Sequence, residues 1–151
     1  SGAGLVLALV DARASYPAYG VSRMSDDFAQ TGAWVAVTGL SVTLTTRGGP
    51  VDFSFVFSVE NSSASLFFFA CDVKIDGVYL GQTTRGKTGG LGATSLIATA
   101  SSTALICVTD RVSLAPGSHT IQVWTLSAGA ANVTIKGSTR DCHLEVKEVI
   151  N

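Results

Sequence analysis

The residues closest to a chemical signature are Gly81-Gln82-Thr83-Thr84-Arg85-Gly86-Lys87-Thr88, which satisfy G-x-x-x-x-G-K-[ST]. In that motif backbone N–H groups and the lysine hold nucleotide phosphates, and the run 104–110, closing on Asp110, could pass for an accompanying metal-binding strand. Phosphate binding also needs a helix that begins at the Lys-Thr pair and aims its N-terminal amides and dipole at the ligand. Here Gly89, Gly90 and Gly92 follow instead, each costing ~1 kcal/mol of helix propensity relative to alanine. The strand ahead of the motif belongs to a hairpin rather than to a strand–helix–strand unit. The segment 81–94 therefore reads as a long, mobile Gly/Thr loop, and no nucleotide is expected on it.

Other catalytic arrangements find even less support. A Ser-His-Asp hydrolase would have to draw on two histidines, and no G-x-S-x-G elbow precedes a helical pattern. His119 follows a Pro-Gly turn, and His143 alternates with Leu144 and should face outward. Glycoside hydrolysis needs two carboxylates on one face, and no spacing unites Asp26, Asp27, Asp72, Asp76 and Asp110. Calcium would call for a D-x-[DN]-x-[DN]-G run, which is absent. Cys71, Cys107 and Cys142 lack CxxC spacing, so no zinc site is expected, and an odd count cannot pair fully within the chain. Cys71 and Cys107 sit in apolar runs and read as small buried hydrophobes. Cys142 adjoins His143, but neighbours on a strand point to opposite faces and should not meet. The expectation is a protein without catalytic residues, cofactor or metal.

Aromatic side chains are the remaining candidates. Tyr16, Tyr19 and Trp34 are candidates for stacking on a ligand such as a sugar ring. Trp124 alternates with Ile121 and Val123 and so should lie on the other face of its strand with Leu126, as a contact to a neighbouring subunit or to the N-terminal segment.

The elements that would position these residues follow a period of two. Leu40, Val42 and Leu44 alternate with Ser41, Thr43 and Thr45; beyond Arg47-Gly48-Gly49-Pro50, Val51, Phe53, Phe55, Phe57 and Val59 form a second inward row. The run 66–75 puts Phe67, Phe69, Cys71, Val73 and Ile75 on one face, while Leu66, Phe68 and Ala70 make the other face apolar at its start, before Asp72 and Lys74 take over. A strand apolar on both sides needs a second packing partner. Asp76-Gly77 predicts a two-residue type I′ hairpin to 78–80. A buried strand follows at 103–108, then the Ala115-Pro116-Gly117-Ser118 turn and strands at 119–126, 132–136 and 142–149. With 34–37 this makes eight or nine short strands, the pattern of an antiparallel sandwich or jelly roll. Asn61-Ser62-Ser63 and Asn132-Val133-Thr134 also match the glycosylation sequon.

Composition agrees with this class. Of 151 residues 46% are apolar and only 14% charged, against roughly 25% in an average soluble protein, with three Glu and four Lys. That disfavours a helical bundle. The net charge of −1 and the lack of a Lys/Arg cluster argue against nucleic acid or anionic membrane as a partner. Residues 1–32 are expected to be an arm or edge segment and 33–151 the sandwich; the apolar run 1–10 is too short for the ~20 residues of a membrane span.

The succession 34–59, the Lys74-Ile75-Asp76-Gly77-Val78 hairpin, the Leu114-Ala115-Pro116-Gly117-Ser118-His119-Thr120 turn and the closing run 144–149 resemble the jelly-roll domains of phage virion proteins. Such domains occur in tail fibres, head fibres and capsid-decoration proteins, and are similar in shape to complement/tumour-necrosis-factor-like heads. The resemblance covers roughly 33–150 and brings no catalytic motif. It implies a non-enzymatic virion-surface component, usually a homotrimer, that contacts other virion proteins or displays a face to a host-surface glycan. Leu5, Leu7, Leu9, Leu66, Phe68 and Trp124 are the candidate interface residues.

Overall fold

Alternation of inward and outward side chains sorts the chain into two layers. The computed structural model describes residues 17–96, 102–129 and 132–150. Leu5, Leu7, Leu9 and Tyr16 therefore lie outside the described residues. One sheet, here sheet A, runs β1 (Tyr19–Arg23), β11 (His143–Glu148), β4 (Gly49–Asn61), β10 (Val133–Ile135) and β2 (Phe28–Ala29), with β8 (Ser102–Leu114) along the other side of β4. Sheet B runs β3 (Val35–Thr46), β9 (Gly117–Ser127), β5 (Phe67–Ile75) and β6 (Val78–Tyr79), with β7 (Gly92–Leu96) on the same side of β5 as β6. Every pairing is antiparallel, and the chain crosses repeatedly between the sheets, as a jelly roll requires.

The inward rows make one core. Val51, Phe53, Phe55, Phe57 and Val59 of β4 are buried against Phe69, Cys71 and Val73 of β5 and Ile121 and Val123 of β9. Phe57 stacks on Phe55 and meets Phe69 edge-on, both at 5.7 Å between centroids. Each such ring contributes roughly 1.5–3 kcal/mol by leaving water. The Asp76-Gly77 turn has φ +51° and +84°, as a type I′ connection demands, and sets Lys74 opposite Tyr79. Two chain corners pass between the sheets side by side. Gly48, at φ +97°, lies so close to Pro116 that a Cβ there would be 2.9 Å from the proline ring, and the Thr46 hydroxyl donates to the Ala115 carbonyl at 3.0 Å. Buried Glu148 accepts the amide hydrogens of Arg47 (2.7 Å) and Ala18 (3.2 Å). Burial pushes its carboxyl up, but those amides and the Arg47 guanidinium outweigh it and hold the group below its usual range.

Several sequence expectations change. The segments 34–37 and 40–46 are not two strands: β3 takes in most of both and absorbs a register shift between Ala36 and Ser41, with Gly39 at φ +90°. β1, β2 and β7 are additional, so the described residues hold eleven strands. The first two are edge strands of sheet A. The strand expected as buried at 103–108 is the first half of a longer edge strand, β8, with one open face. Its inward residues pack partly on the core, whereas Leu105 is 66% exposed. Cys107 shares that open face and is exposed, which corrects its reading as a buried hydrophobe. The Asn61 sequon is closed as well: the residue is fully buried and its amide donates to the Ser65 carbonyl, whereas Asn132 is exposed.

Candidate ligand-binding face

The P-loop-like segment adopts a different structure and binds an anion of its own chain. Residues Leu80–Thr84 form a single π-helical turn, and β7 follows rather than a helix. The Gly81 and Gln82 amides, which a phosphate would need, donate instead to the Asp72 carboxylate at 2.8 and 3.0 Å, joined by the Gln82 side-chain amide (3.2 Å) and the Val73 N–H (2.8 Å). Asp72 is fully buried. The segment expected to be a mobile loop is thus tied to β5, and the Lys87 amide closes onto the Gly81 carbonyl at 2.8 Å. Sequence reasoning placed Asp72 among the polar residues of an outer face. The overlooked signal is an aspartate inside a Phe-rich run followed by a glycine-rich segment able to approach it.

His119 is committed to structural contacts. His119 Nδ1 lies 2.6 Å from Asp76 Oδ2 and its Nε2 lies 2.7 Å from the Ala115 carbonyl, so neither ring nitrogen is free to act as a base. The Asp76 carboxylate, and then the Ala115 carbonyl, raise the His119 pKa above 6.5; the same contact, with the Thr120 amide, lowers Asp76 below 3.8. The stability this pair contributes is complete below pH 6.5 on the histidine side and fades as pH rises through the raised pKa. On the aspartate side it is complete above 3.8 and fades as pH falls through the lowered one. The difference in melting temperature between the wild type and His119→Gln is therefore expected to peak at about pH 5 and to shrink above neutrality. A difference independent of pH would refute the pairing. His143 Nδ1 is 3.4 Å from Asp141, which also pairs with Arg23 at 2.7 Å. Cys142 is buried on the opposite face of the chain, and burial raises its thiol pKa. Burial, aided by the Asp72 charge, pushes the Cys71 thiol up to about 12. No group of three metal-ligating side chains occurs among the described residues.

What the fold does assemble is an aromatic face on the outside of sheet B. Lys74 on β5 is registered with Gln122 on β9 and with Tyr79 on β6, and Gln122 with Ser41 on β3, so these four form one row across the sheet. In the next row Trp124 stands between Ala36 and Asp72. Tyr79 meets Trp124 edge-on at 5.6 Å, and Trp34, just ahead of β3, reaches Tyr79 at 5.8 Å. The Lys74 ammonium sits 3.7 Å from the Trp124 ring centroid and 4.4 Å from that of Tyr79. The Trp124 indole N–H donates to Gln122 Oε1 at 2.9 Å, which orients the amide. All three aromatic residues are half-buried.

The candidate residues thus separate into groups. Trp34, expected to stack on a ligand, and Trp124, expected at an interface, come together through Tyr79, which the sequence reading did not single out. Phe68 lies further along the same face of β5, toward its start, with exposed Leu66 just before the strand. Tyr19 stands apart on the outside of sheet A, registered with Lys147.

No protein-family model and no curated protein matches the chain. Among solved structures, murine APRIL at pH 8.0 is similar with a TM-score of 0.53 at 9% identity, over 88% of this chain and 99% of that one. Eiger TNF from S. frugiperda gives a TM-score of 0.49 at 4% identity (89% and 92% covered). The CBM36-1 domain of a multidomain xylanase from the hindgut metagenome of Trinervitermes trinervoides gives 0.43 at 14% (88% and 99%). At these identities the likeness concerns the fold alone: the chain is an antiparallel jelly-roll β-sandwich of the TNF-like shape.

Proposed function

We propose that the protein is a non-enzymatic structural component of a virion surface, a capsid-decoration or fibre protein that assembles as a homotrimer alongside other virion proteins. The observation that carries this reading is the apolar rim at the start of β5, where Leu66 is 60% and Phe68 43% exposed. Phe68 is registered with Ser95 on β7, and its carbonyl accepts from the Ala128 N–H at 3.3 Å and the Ser127 hydroxyl at 3.0 Å, so its neighbours across the sheet on both sides are uncharged. Covering side chains of this size that are about half exposed gains roughly 1 kcal/mol each, and uncharged neighbours add no desolvation cost. The virion setting is supported by the strand and turn succession that resembles phage jelly rolls. Light scattering at several concentrations tests assembly, with a concentration-independent trimer as the expected result. Phe68→Asp is expected to give a folded, β-rich monomer. A trimer that survives this substitution removes the rim as its contact, and a monomeric wild type removes the trimer.

A second reading, a module that binds a carbohydrate or host receptor, is favoured by the Trp34–Tyr79–Trp124 cluster. Aromatic rings left partly open to solvent are suited to the apolar faces of sugars. Glycan binding that is lost in Trp34→Ala while the fold is kept is the expected result.

A further inference from the structure

Among the described residues the Lys74 ammonium has no anion beside it. No carboxylate among them lies within ion-pair distance of it, as holds also for Lys87, Arg140 and Lys147, whereas Arg23, Arg47, Arg85, Arg111 and Lys136 each pair with one. The carboxylate nearest along its own strand face, Asp72, is fully buried and already takes four hydrogen bonds from Val73, Gly81 and Gln82. Lys74 is held in place by the rings of Trp124 and Tyr79, a contact that fixes its position without neutralising it. Next to it, Gln122 uses its oxygen on the Trp124 indole, so its amide hydrogens make no bond among the described residues. The row therefore presents one positive charge and two amide hydrogens, and the Trp34 ring adjoins it through Tyr79.

We propose that this face binds an anionic saccharide. The sugar stacks on Trp34, its acidic group pairs with Lys74 Nζ, and an oxygen of the sugar accepts from the Gln122 amide. The inference rests on the carbohydrate reading and adds the sign of the ligand's charge. An ammonium is a point charge that accepts carboxylate or sulfate alike, so the shared property is the anion on the sugar.

Titration calorimetry on the purified protein with three probes tests it: lactose as a neutral sugar, sialyllactose as a carboxylated one and a sulfated disaccharide. Either acidic probe is expected to bind at least tenfold more tightly than lactose, with the advantage falling as salt is raised. The two acidic arms identify which anion is preferred. Lys74→Met keeps an apolar stem under the rings and is expected to bring the affinity for the acidic probes down to that for lactose in the same variant; Lys74→Arg is expected to retain the acidic preference. Thermal melts of both variants report whether the fold persists. Equal affinity for neutral and acidic sugars, or a preference untouched by Lys74→Met, overturns the inference and leaves the carbohydrate reading standing. Failure of all three sugars to bind overturns both.

Discussion

Asp72→Ala is expected to lower the midpoint of thermal unfolding by roughly 10 °C, corresponding to about 3 kcal/mol or more. The carboxylate is buried, and the alanine would leave the Gly81 and Gln82 amides facing a space with no acceptor. Leaving buried donors unpaired costs more than the net worth of the bonds themselves. Asp72→Asn should recover only part of the loss, because one of its two polar atoms is a donor and would confront donors from Gln82. The segment 80–91 would also come away from β5, so trypsin should cut at Arg85 or Lys87 at a rate the wild type resists. Circular-dichroism melts and timed digestion measure both effects. A variant within about 1 kcal/mol of the wild type would show that the carboxylate does not organise the segment.

Gly90→Ala is expected to cost about 3 kcal/mol, for two reasons that act together. Its φ of +72° is strained for any L side chain, and a Cβ would stand 2.5 Å from the Cys71 carbonyl oxygen and 3.0 Å from the Asp72 Cβ. The carbonyl cannot step aside freely, since it accepts the Leu91 amide at 2.9 Å. The same Cβ would press on Trp34 at 3.1 Å from Cη2, so the shift should appear in tryptophan fluorescence as well as in the melting temperature. Gly32→Ala is the control: it has open space around it and should change neither. A Gly90→Ala protein with wild-type melting and fluorescence would mean that the 80–91 segment does not lie this close to β5.

How much of this was legible in the sequence depends on how local each feature is. The inward row of β4, the Asp76-Gly77 hairpin and the Pro116-Gly117 corner follow from residues adjacent in the chain, and all are present. The exposure of β8 was not legible. An apolar run reads alike whether a strand lies inside a sheet or along its edge, and only the pairing with β4 on one side decides it. Within the candidate face, Tyr79 was within reach: a two-residue turn at Asp76-Gly77 places it opposite Lys74 by counting alone. The meeting of Trp34 with Tyr79 and Trp124 was not, because it joins side chains from β6, β9 and the chain just before β3. The burial of Asp72 was not legible for the same reason: the outer face it shares with Lys74 is covered there by a segment that returns to it through the backbone of Gly81 and Gly90.

The order of strands in sheet A bears on how the protein is made. β11 lies between β1 and β4, yet those two precede it by most of the chain, with Tyr19 awaiting Lys147 and Phe53 awaiting Val146. A nascent chain emerging from the ribosome can therefore complete the β3–β9–β5 layer first, while β1 has no partner in place and one side of β4 stands open over 51–56. Closure of the sandwich is a late event that waits for synthesis of 143–148, and until then the Phe-rich strand is exposed to neighbouring nascent chains.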